Sequence, residues 1–235
     1  MTTGTPARSL RWMAEGHAYF LSHLKAVGDE ELRGSSRLPG WSGRHLLSHV
    51  GHNAKALGRL AHWAATGEPT PMYPSPDARA EEIESGAAWP VPRLRAFVEA
   101  EHDRLAAALD RLTDPKWDAQ VVTAQGRTVP ARTIPWLRSR EVWIHACDLP
   151  SGGDFSAFPE DFADALIEDA LTRRRTAQGL RLQVRATDRD RRTDDSPAVV
   201  EGSAADLARW LTGRGTSVRL HTTTGAPLPE LPPWL

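Results

Sequence analysis

The stretch Ile134–Asp148, IPWLRSREVWIHACD, belongs to a helix predicted over residues 131–149 and carries polar side chains on its apolar face. At 100° per residue, Glu141 and His145 lie one turn apart within the apolar stripe. A carboxylate on the core side of a helix is costly unless it is paired or binds a metal. The spacing therefore leaves two interpretations, a buried glutamate–histidine hydrogen bond or a metal site between helices.

A second predicted helix, residues 43–66, contains three histidines in the run RHLLSHVGHN and begins after Ser42, a typical N-cap residue. His49 lies at the edge of the apolar stripe, where it can point into the interior of a bundle. His45 and His52 fall on the polar face, and we expect them to be solvated. His49 is therefore the histidine that is best placed to join the pair described above.

Two imidazoles and one carboxylate, from His49, Glu141 and His145, make the ligand set of a catalytic metal site with an open position, usually zinc. Asp148 lies on the same face and either orients His145 or faces water at the end of the helix. Cys147 is rotated about 160° from His145 around the helix axis. We expect it to be a small buried apolar residue rather than a ligand or a nucleophile.

The rest of the N-terminal region favours a four-helix bundle. Apolar periodicity predicts further helices over residues 8–27 and 90–112. Residues 28–41 and the Pro-rich residues 67–80 are predicted loops, and the second loop is a candidate to cover a pocket. Residues 117–130 have strand or loop character. Four helices, each with one apolar stripe, are typical of a bundle.

The pattern changes after Gly153, and the following residues predict a small α/β domain. Its predicted elements are a helix, two alternating strands and a second helix, over residues 159–177, 180–187, 197–201 and 203–213. Ser203 and Asp206 form a capping box at the start of the second helix. We therefore predict an α+β protein with two domains, residues 1–152 and 153–235.

Ser217–His221 alternates as a further strand, with Val218 and Leu220 on the apolar face and Arg219 on the other. This pattern leaves two interpretations of Arg219, an ordinary surface arginine or a cation that binds a substrate carboxylate. The sequence contains no Gly-rich phosphate loop and no nucleophile elbow.

Composition excludes several classes of protein. The 235 residues carry 29 basic and 30 acidic side chains, a balance that argues against nucleic-acid binding driven by bulk charge. One cysteine cannot form an internal disulfide. The sequence shows no bilayer-spanning apolar run and no signal-peptide pattern at its start, so we expect a cytoplasmic protein. Lysine occurs only at Lys25, Lys55 and Lys116, as expected of a high-GC genome.

Four segments together resemble the mycothiol-dependent maleylpyruvate isomerase family of the DinB-like metalloenzymes. They are LPGWSGRHLLSHVGHNAKAL, TGEPTPMYPSPDARAEEIE, IPWLRSREVWIHACDL and APLPELPPWL, and they span nearly the whole chain. The resemblance implies a DinB-like bundle followed by a sterol-carrier-like α/β domain. It also implies that His49, Glu141 and His145 bind a divalent metal, expected to be zinc, and that Arg219 is catalytic.

The implied activity is the cis–trans isomerisation of maleylpyruvate to fumarylpyruvate with mycothiol as the thiol cofactor. A mycothiol S-transferase that acts on electrophiles and a non-catalytic metal-binding module are the alternatives. The high-GC composition agrees with an actinobacterial host that makes mycothiol. We expect small-molecule partners only, neither nucleic acid nor membrane, and a monomer or small homo-oligomer.

Overall fold

The computed structural model describes residues 6–178, 182–189, 191–192 and 199–232. It divides into two compact units, with the division between Gly153 and Asp154. The N-terminal unit is mostly helical, whereas the C-terminal unit combines two helices with a four-stranded sheet. This organisation confirms the predicted α+β fold class. Within the described residues, no helix is long and apolar enough to cross a bilayer.

The N-terminal unit is built from four long helices, three short ones and a hairpin. These elements are α1 Pro6–Lys25, α2 Asp29–Arg33, α3 Gly43–Thr66, α4 Ala78–Ala87, α5 Val91–Asp110, α6 Asp114–Trp117, β1 Gln120–Val122, β2 Thr128–Pro130 and α7 Ile134–Asp148. Helix α3 packs against α4, α5 and α7, and α1 packs against α7. The four long helices confirm the four that the periodicity predicted.

The N-cap that the sequence predicted for α3 is present, and a glycine ends the helix. The Ser42 hydroxyl accepts a hydrogen bond from the backbone N–H of His45 at 3.3 Å. At the other end, Gly67 has a φ of +83°, a left-handed conformation that glycine adopts without a steric penalty. Because both ends are fixed, the register of the histidines along α3 is fixed as well.

Helices α2 and α4 correct the predicted loops. Helix α2 lies inside the predicted loop 28–41, where the backbone N–H of Gly28 donates to the Glu31 carboxylate at 3.1 Å. Helix α4 begins at Ala78, before the predicted end of the loop 67–80. A Cβ atom on Gly86 would lie 2.2 Å from the hydroxyl oxygen of Ser48, so α4 packs closely on α3. Such short helices carry too few apolar repeats to be recognised by periodicity.

The apolar core of the bundle lies beside the hairpin. One cluster contains residues of α3, α5, the hairpin and the start of α7, among them Ala54, Leu57, Leu60, Leu105, Leu109, Val121, Val129 and Ile134. The candidate ligands His49, Glu141 and His145 lie outside this cluster, before Ala54 on α3 and after Leu137 on α7. The apolar core therefore fixes the positions of α3 and α7. The candidate site lies at the ends of these two helices that are away from the core.

The C-terminal unit contains α8 Glu160–Gln178, β3 Gln183–Ala186, β4 Arg191–Arg192, β5 Val199–Gly202, α9 Ala204–Leu211 and β6 His221–Thr222. The strand order is β4-β3-β5-β6, with β3 and β5 parallel and the other two pairs antiparallel. Ser203 caps α9 by accepting from the Asp206 N–H at 3.1 Å, as predicted. Parts of the predicted strands, at 180–181 and 197–198, lie outside the described residues.

The predicted strand Ser217–His221 is wrong in its first part. Ser217 accepts a backbone hydrogen bond from Leu220 at 3.0 Å and closes a turn, and the strand begins only at His221. Val218 is fully exposed while Leu220 is buried, so the two do not share an apolar face. Alternation over five residues cannot distinguish a short strand from a turn that reverses the chain.

Candidate metal centre

Three side chains from α3 and α7 converge at one point inside the N-terminal unit. The Nε2 atom of His49 lies 2.9 Å from Oε2 of Glu141 and 3.1 Å from Nε2 of His145. The third separation, between Nε2 of His145 and Oε2 of Glu141, is 3.2 Å. Within the described part of the chain, these three residues form the cluster of donor atoms that could hold a metal ion.

The donor set fits a divalent metal. Three ligand atoms at tetrahedral positions around zinc, about 2.1 Å from the ion, are about 3.4 Å apart. The separations here are slightly shorter, so small movements of side chains would admit the ion. Two imidazoles and one carboxylate are the ligands of many catalytic zinc sites, which keep the fourth position for water or substrate.

Burial and hydrogen bonding set the charges of Glu141 and His49. Burial alone would raise the pKa of Glu141, but hydrogen bonds from His145 and His49 hold it well below its usual range. Burial lowers the pKa of His49 to about 4, against the opposing effect of Glu141. Glu141 is therefore ionised and His49 is neutral at neutral pH, which are the states in which both bind metals.

Asp148 orients His145 instead of facing water. Its Oδ2 atom lies 2.8 Å from Nδ1 of His145, and the carboxylate is buried. This hydrogen bond holds a proton on Nδ1, so Nε2, which faces Glu141 and His49, is the nitrogen that can bind a metal. Of the two interpretations of Asp148 left open by the sequence, the structure shows the first.

His45 and His52 lie outside the triad, and the expectation that both are solvated is wrong for His52. The Nδ1 atom of His52 lies 2.9 Å from the Ser48 carbonyl oxygen, and its ring packs 4.7 Å from the ring of Phe97. His45 is half-buried at the start of α3, where its Nδ1 atom accepts a hydrogen bond from the Ser42 N–H at 3.2 Å. Helices α4 and α5 cover this face of α3, and α4 was not predicted.

A closed, purely structural metal shell would need a fourth protein ligand. Asp148 forms a hydrogen bond with Nδ1 of His145, and His52 forms one with the Ser48 carbonyl oxygen. In the described part of the chain, neither residue is among those whose donor atoms converge at the triad. This arrangement argues against a non-catalytic metal-binding module.

Two domain models of one protein family match the chain. Residues 13–150 match the family described as the mycothiol maleylpyruvate isomerase N-terminal domain, and residues 157–233 match the C-terminal domain of the same name. The chain belongs to the mycothiol maleylpyruvate isomerase family. This membership confirms the resemblance that the four sequence segments indicated.

Solved structures of the family agree with the assignment. A crystal structure of the mycothiol-dependent maleylpyruvate isomerase is 38% identical, with a TM-score of 0.90 over 98% of each chain. A histidine-to-alanine variant of that isomerase is 37% identical, with the same TM-score and coverage. No curated protein sequence matches the chain.

In this member of the isomerase family, Arg219 belongs to the C-terminal unit. Its side chain is 77% exposed, and its Nε atom lies 3.2 Å from Oδ2 of Asp206 in the first turn of α9. The ion pair holds the guanidinium near the start of α9 but leaves most of it accessible. A catalytic role for Arg219 stays a prediction from the resemblance.

Cys147 is buried in α7, and its Sγ atom donates to the Trp143 carbonyl oxygen at 3.7 Å. It is not one of the three residues of the metal cluster. This isomerase chain therefore places its one thiol in the packed interior, as predicted.

Three further residues lie near the triad, and the sequence reasoning missed two of them, Arg79 and Tyr73. The Nη2 atom of Arg79 lies 3.5 Å from Nδ1 of His49, and the ring of Trp41 lies 5.3 Å from the His49 ring. Burial raises the pKa of Tyr73 to about 12, so its phenol keeps its proton. Arg79 and Tyr73 are the only arginine and the only aromatic residue in the Pro-rich residues 67–80, which is a weak signal.

Proposed function

We propose that this chain catalyses the mycothiol-dependent isomerisation of maleylpyruvate to fumarylpyruvate. The observation that carries the proposal is the compact triad of His49, Glu141 and His145 in a chain that matches a mycothiol-dependent maleylpyruvate isomerase over 98% of its length. The family supports the thiol and the substrate, and the triad supports metal-assisted chemistry.

We propose zinc as the metal that His49, Glu141 and His145 bind, because two imidazoles and one carboxylate suit it. A bound divalent metal lowers the pKa of a coordinated thiol, so that the thiolate exists at neutral pH. The chain's own contribution is to hold the ligands in their metal-binding states. Glu141 stays ionised between the two histidines, and Asp148 holds a proton on Nδ1 of His145 so that Nε2 is the nitrogen that faces the other two ligand atoms.

The chemistry of the substrate explains the need for a thiol. Rotation about the cis double bond of maleylpyruvate is prohibitively slow. The thiolate adds to an alkene carbon through its lone pair, and the π electrons move to the conjugated carbonyl oxygen as an enolate. The former double bond is now single and rotates, after which the enolate electrons return and expel the thiolate. The thiol is regenerated, and no oxidant or reductant is consumed.

The substrate is a dicarboxylate, so it must be held by cations. We propose that Arg219 binds one of its carboxylates, as the family resemblance implies. Guanidinium groups suit this role because they bind carboxylates through two parallel hydrogen bonds. The exposed part of the Arg219 side chain is compatible with such a contact.

The proposal is tested by following the absorbance of maleylpyruvate with zinc-loaded protein, with mycothiol present or omitted. Conversion to fumarylpyruvate that requires mycothiol is the expected result. Folded, zinc-loaded protein that does not convert maleylpyruvate would contradict the proposal. The detection of stable mycothiol adducts with other electrophiles would then favour the S-transferase.

Cys147→Ala is expected to retain zinc and to change the rate of isomerisation by less than about twofold, since the reacting thiol comes from mycothiol. The expectation rests on the burial of the Cys147 thiol and its contact with the Trp143 carbonyl. Steady-state rates at saturating mycothiol measure the effect. A variant that stays folded and zinc-loaded but is inactive would show that the protein supplies its own nucleophile.

A further inference from the structure

The two histidines of the triad differ in what their outer nitrogen atoms contact. Nδ1 of His145 has a carboxylate partner, Asp148, at 2.8 Å. Nδ1 of His49 instead faces Nη2 of Arg79 at 3.5 Å. In the described part of the chain, no carboxylate or carbonyl oxygen lies within hydrogen-bond distance of Nδ1 of His49.

This difference matters once Nε2 of His49 binds a metal. A neutral imidazole that gives its Nε2 lone pair to a metal carries its proton on Nδ1, and that N–H needs an acceptor. The guanidinium of Arg79 has N–H donors and no lone pair to offer. The metal-bound site therefore presents two adjacent donors, about 3.5 Å apart, without an acceptor between them.

The surroundings favour an anion from outside the protein. Arg79 is exposed, and the described residues give it no carboxylate partner, so its charge is available to a ligand. The Trp41 ring beside His49 provides an apolar wall. A carboxylate has the charge and the two oxygen atoms that such donors complement.

We infer that Arg79 and the Nδ1–H of His49 form a carboxylate-binding pair beside the metal triad and hold one carboxylate of the substrate. The inference rests on the proposed function for the choice of a dicarboxylate. It adds to Arg219 a second cation, carried by the same unit as the triad.

The test measures the binding of maleate to zinc-loaded protein by calorimetry, with thiol omitted so that no reaction occurs. Arg79→Gln is expected to weaken maleate binding by about tenfold or more, because it removes a charge-assisted contact. Arg79→Lys is expected to restore part of the affinity, since it keeps the charge but not the fork of donors. Arg111→Gln, the same change at an exposed arginine at the end of α5, is the matched control and should bind maleate as the wild type does.

Zinc content and the Michaelis constant separate the possible outcomes. An Arg79→Gln protein that keeps zinc, binds maleate weakly and has a raised KM for maleylpyruvate supports the inference. Unchanged maleate affinity overturns it, even if the protein isomerises maleylpyruvate. Loss of zinc also overturns it, because Arg79 would then act by positioning His49. A protein that has no isomerase activity but needs Arg79 for maleate binding supports the pair while it contradicts the proposed function.

Discussion

Glu141→Gln is expected to abolish zinc binding and to lower isomerase activity by at least about 100-fold, because residues that only support a metal ligand already cost 10- to 100-fold when they are lost. Glu141 supplies the one negative charge of the triad, with its Oε2 atom 2.9 Å from His49 and 3.2 Å from His145. Glutamine keeps the shape but offers a neutral oxygen, or an N–H that repels a cation. Zinc content after dialysis and rates with saturating mycothiol measure the two effects.

Glu84→Gln provides the matched control for this change. Glu84 is exposed on α4, and its Oε2 atom lies 3.4 Å from Nε2 of His45, outside the triad. We expect this variant to keep zinc and activity. The melting temperature adds a second measurement, since zinc should raise it for the wild type and for Glu84→Gln but not for Glu141→Gln. A Glu141→Gln protein that retains one zinc ion per chain would show that Glu141 is not a ligand.

The triad could be predicted because helix geometry constrains it. Glu141 and His145 are four residues apart, so one turn of helix places them together, and a carboxylate on an apolar face needs a partner. The position of His49 at the edge of the apolar stripe of α3 indicates that it faces the same interior. The structure places the three residues in one cluster. Their role as metal ligands stays a prediction.

The errors came from positions that local periodicity does not determine. His52 has a polar position on α3 by periodicity, but α4 and α5 cover it. Arg79 lies within the predicted loop, and nothing local places its guanidinium beside His49. The alternation of residues 217–221 predicts a strand that includes Val218. Five alternating residues fit a turn equally well, and the structure has a turn there. The errors at His52 and Arg79 concern contacts between segments that are distant in sequence, which a single sequence does not specify.

A second buried pair of histidines is expected to make the protein sensitive to acid. His17 of α1 and His102 of α5 stack with their ring centroids 3.5 Å apart. Burial, followed by the nearby charge of Arg138, lowers the pKa of His17 to about 3 and that of His102 to about 2. Arg138 is fully buried and donates to the Val50 carbonyl at 2.7 Å. Both imidazoles therefore stay neutral in the folded protein at pH values where they would be charged in water.

The direction in which acid changes stability follows from the lowered pKa values of the two histidines. Below pH 6.5 the unfolded chain binds protons at His17 and His102, while the folded protein does not until about pH 3 and 2. Stability is therefore complete above pH 6.5 and falls as the pH decreases. For two groups between pH 6.5 and 4.5, the free energy of unfolding decreases by about 5 kcal/mol. That loss approaches the whole stability of an ordinary domain, ~5–15 kcal/mol.

His102→Phe removes one of the two groups and keeps a planar ring against His17. We expect it to reduce the loss of stability between pH 6.5 and 4.5 by about 2–3 kcal/mol, which is half of the predicted effect. Urea denaturation at both pH values, followed by circular dichroism, measures the difference. Leu105→Ala, at a buried position on the same helix, is the control because it lowers stability by about 2–5 kcal/mol without removing a titrating group. If His102→Phe and Leu105→Ala show the same pH dependence as the wild type, the stacked histidines do not cause the acid sensitivity, and the groups of the metal site become the candidates.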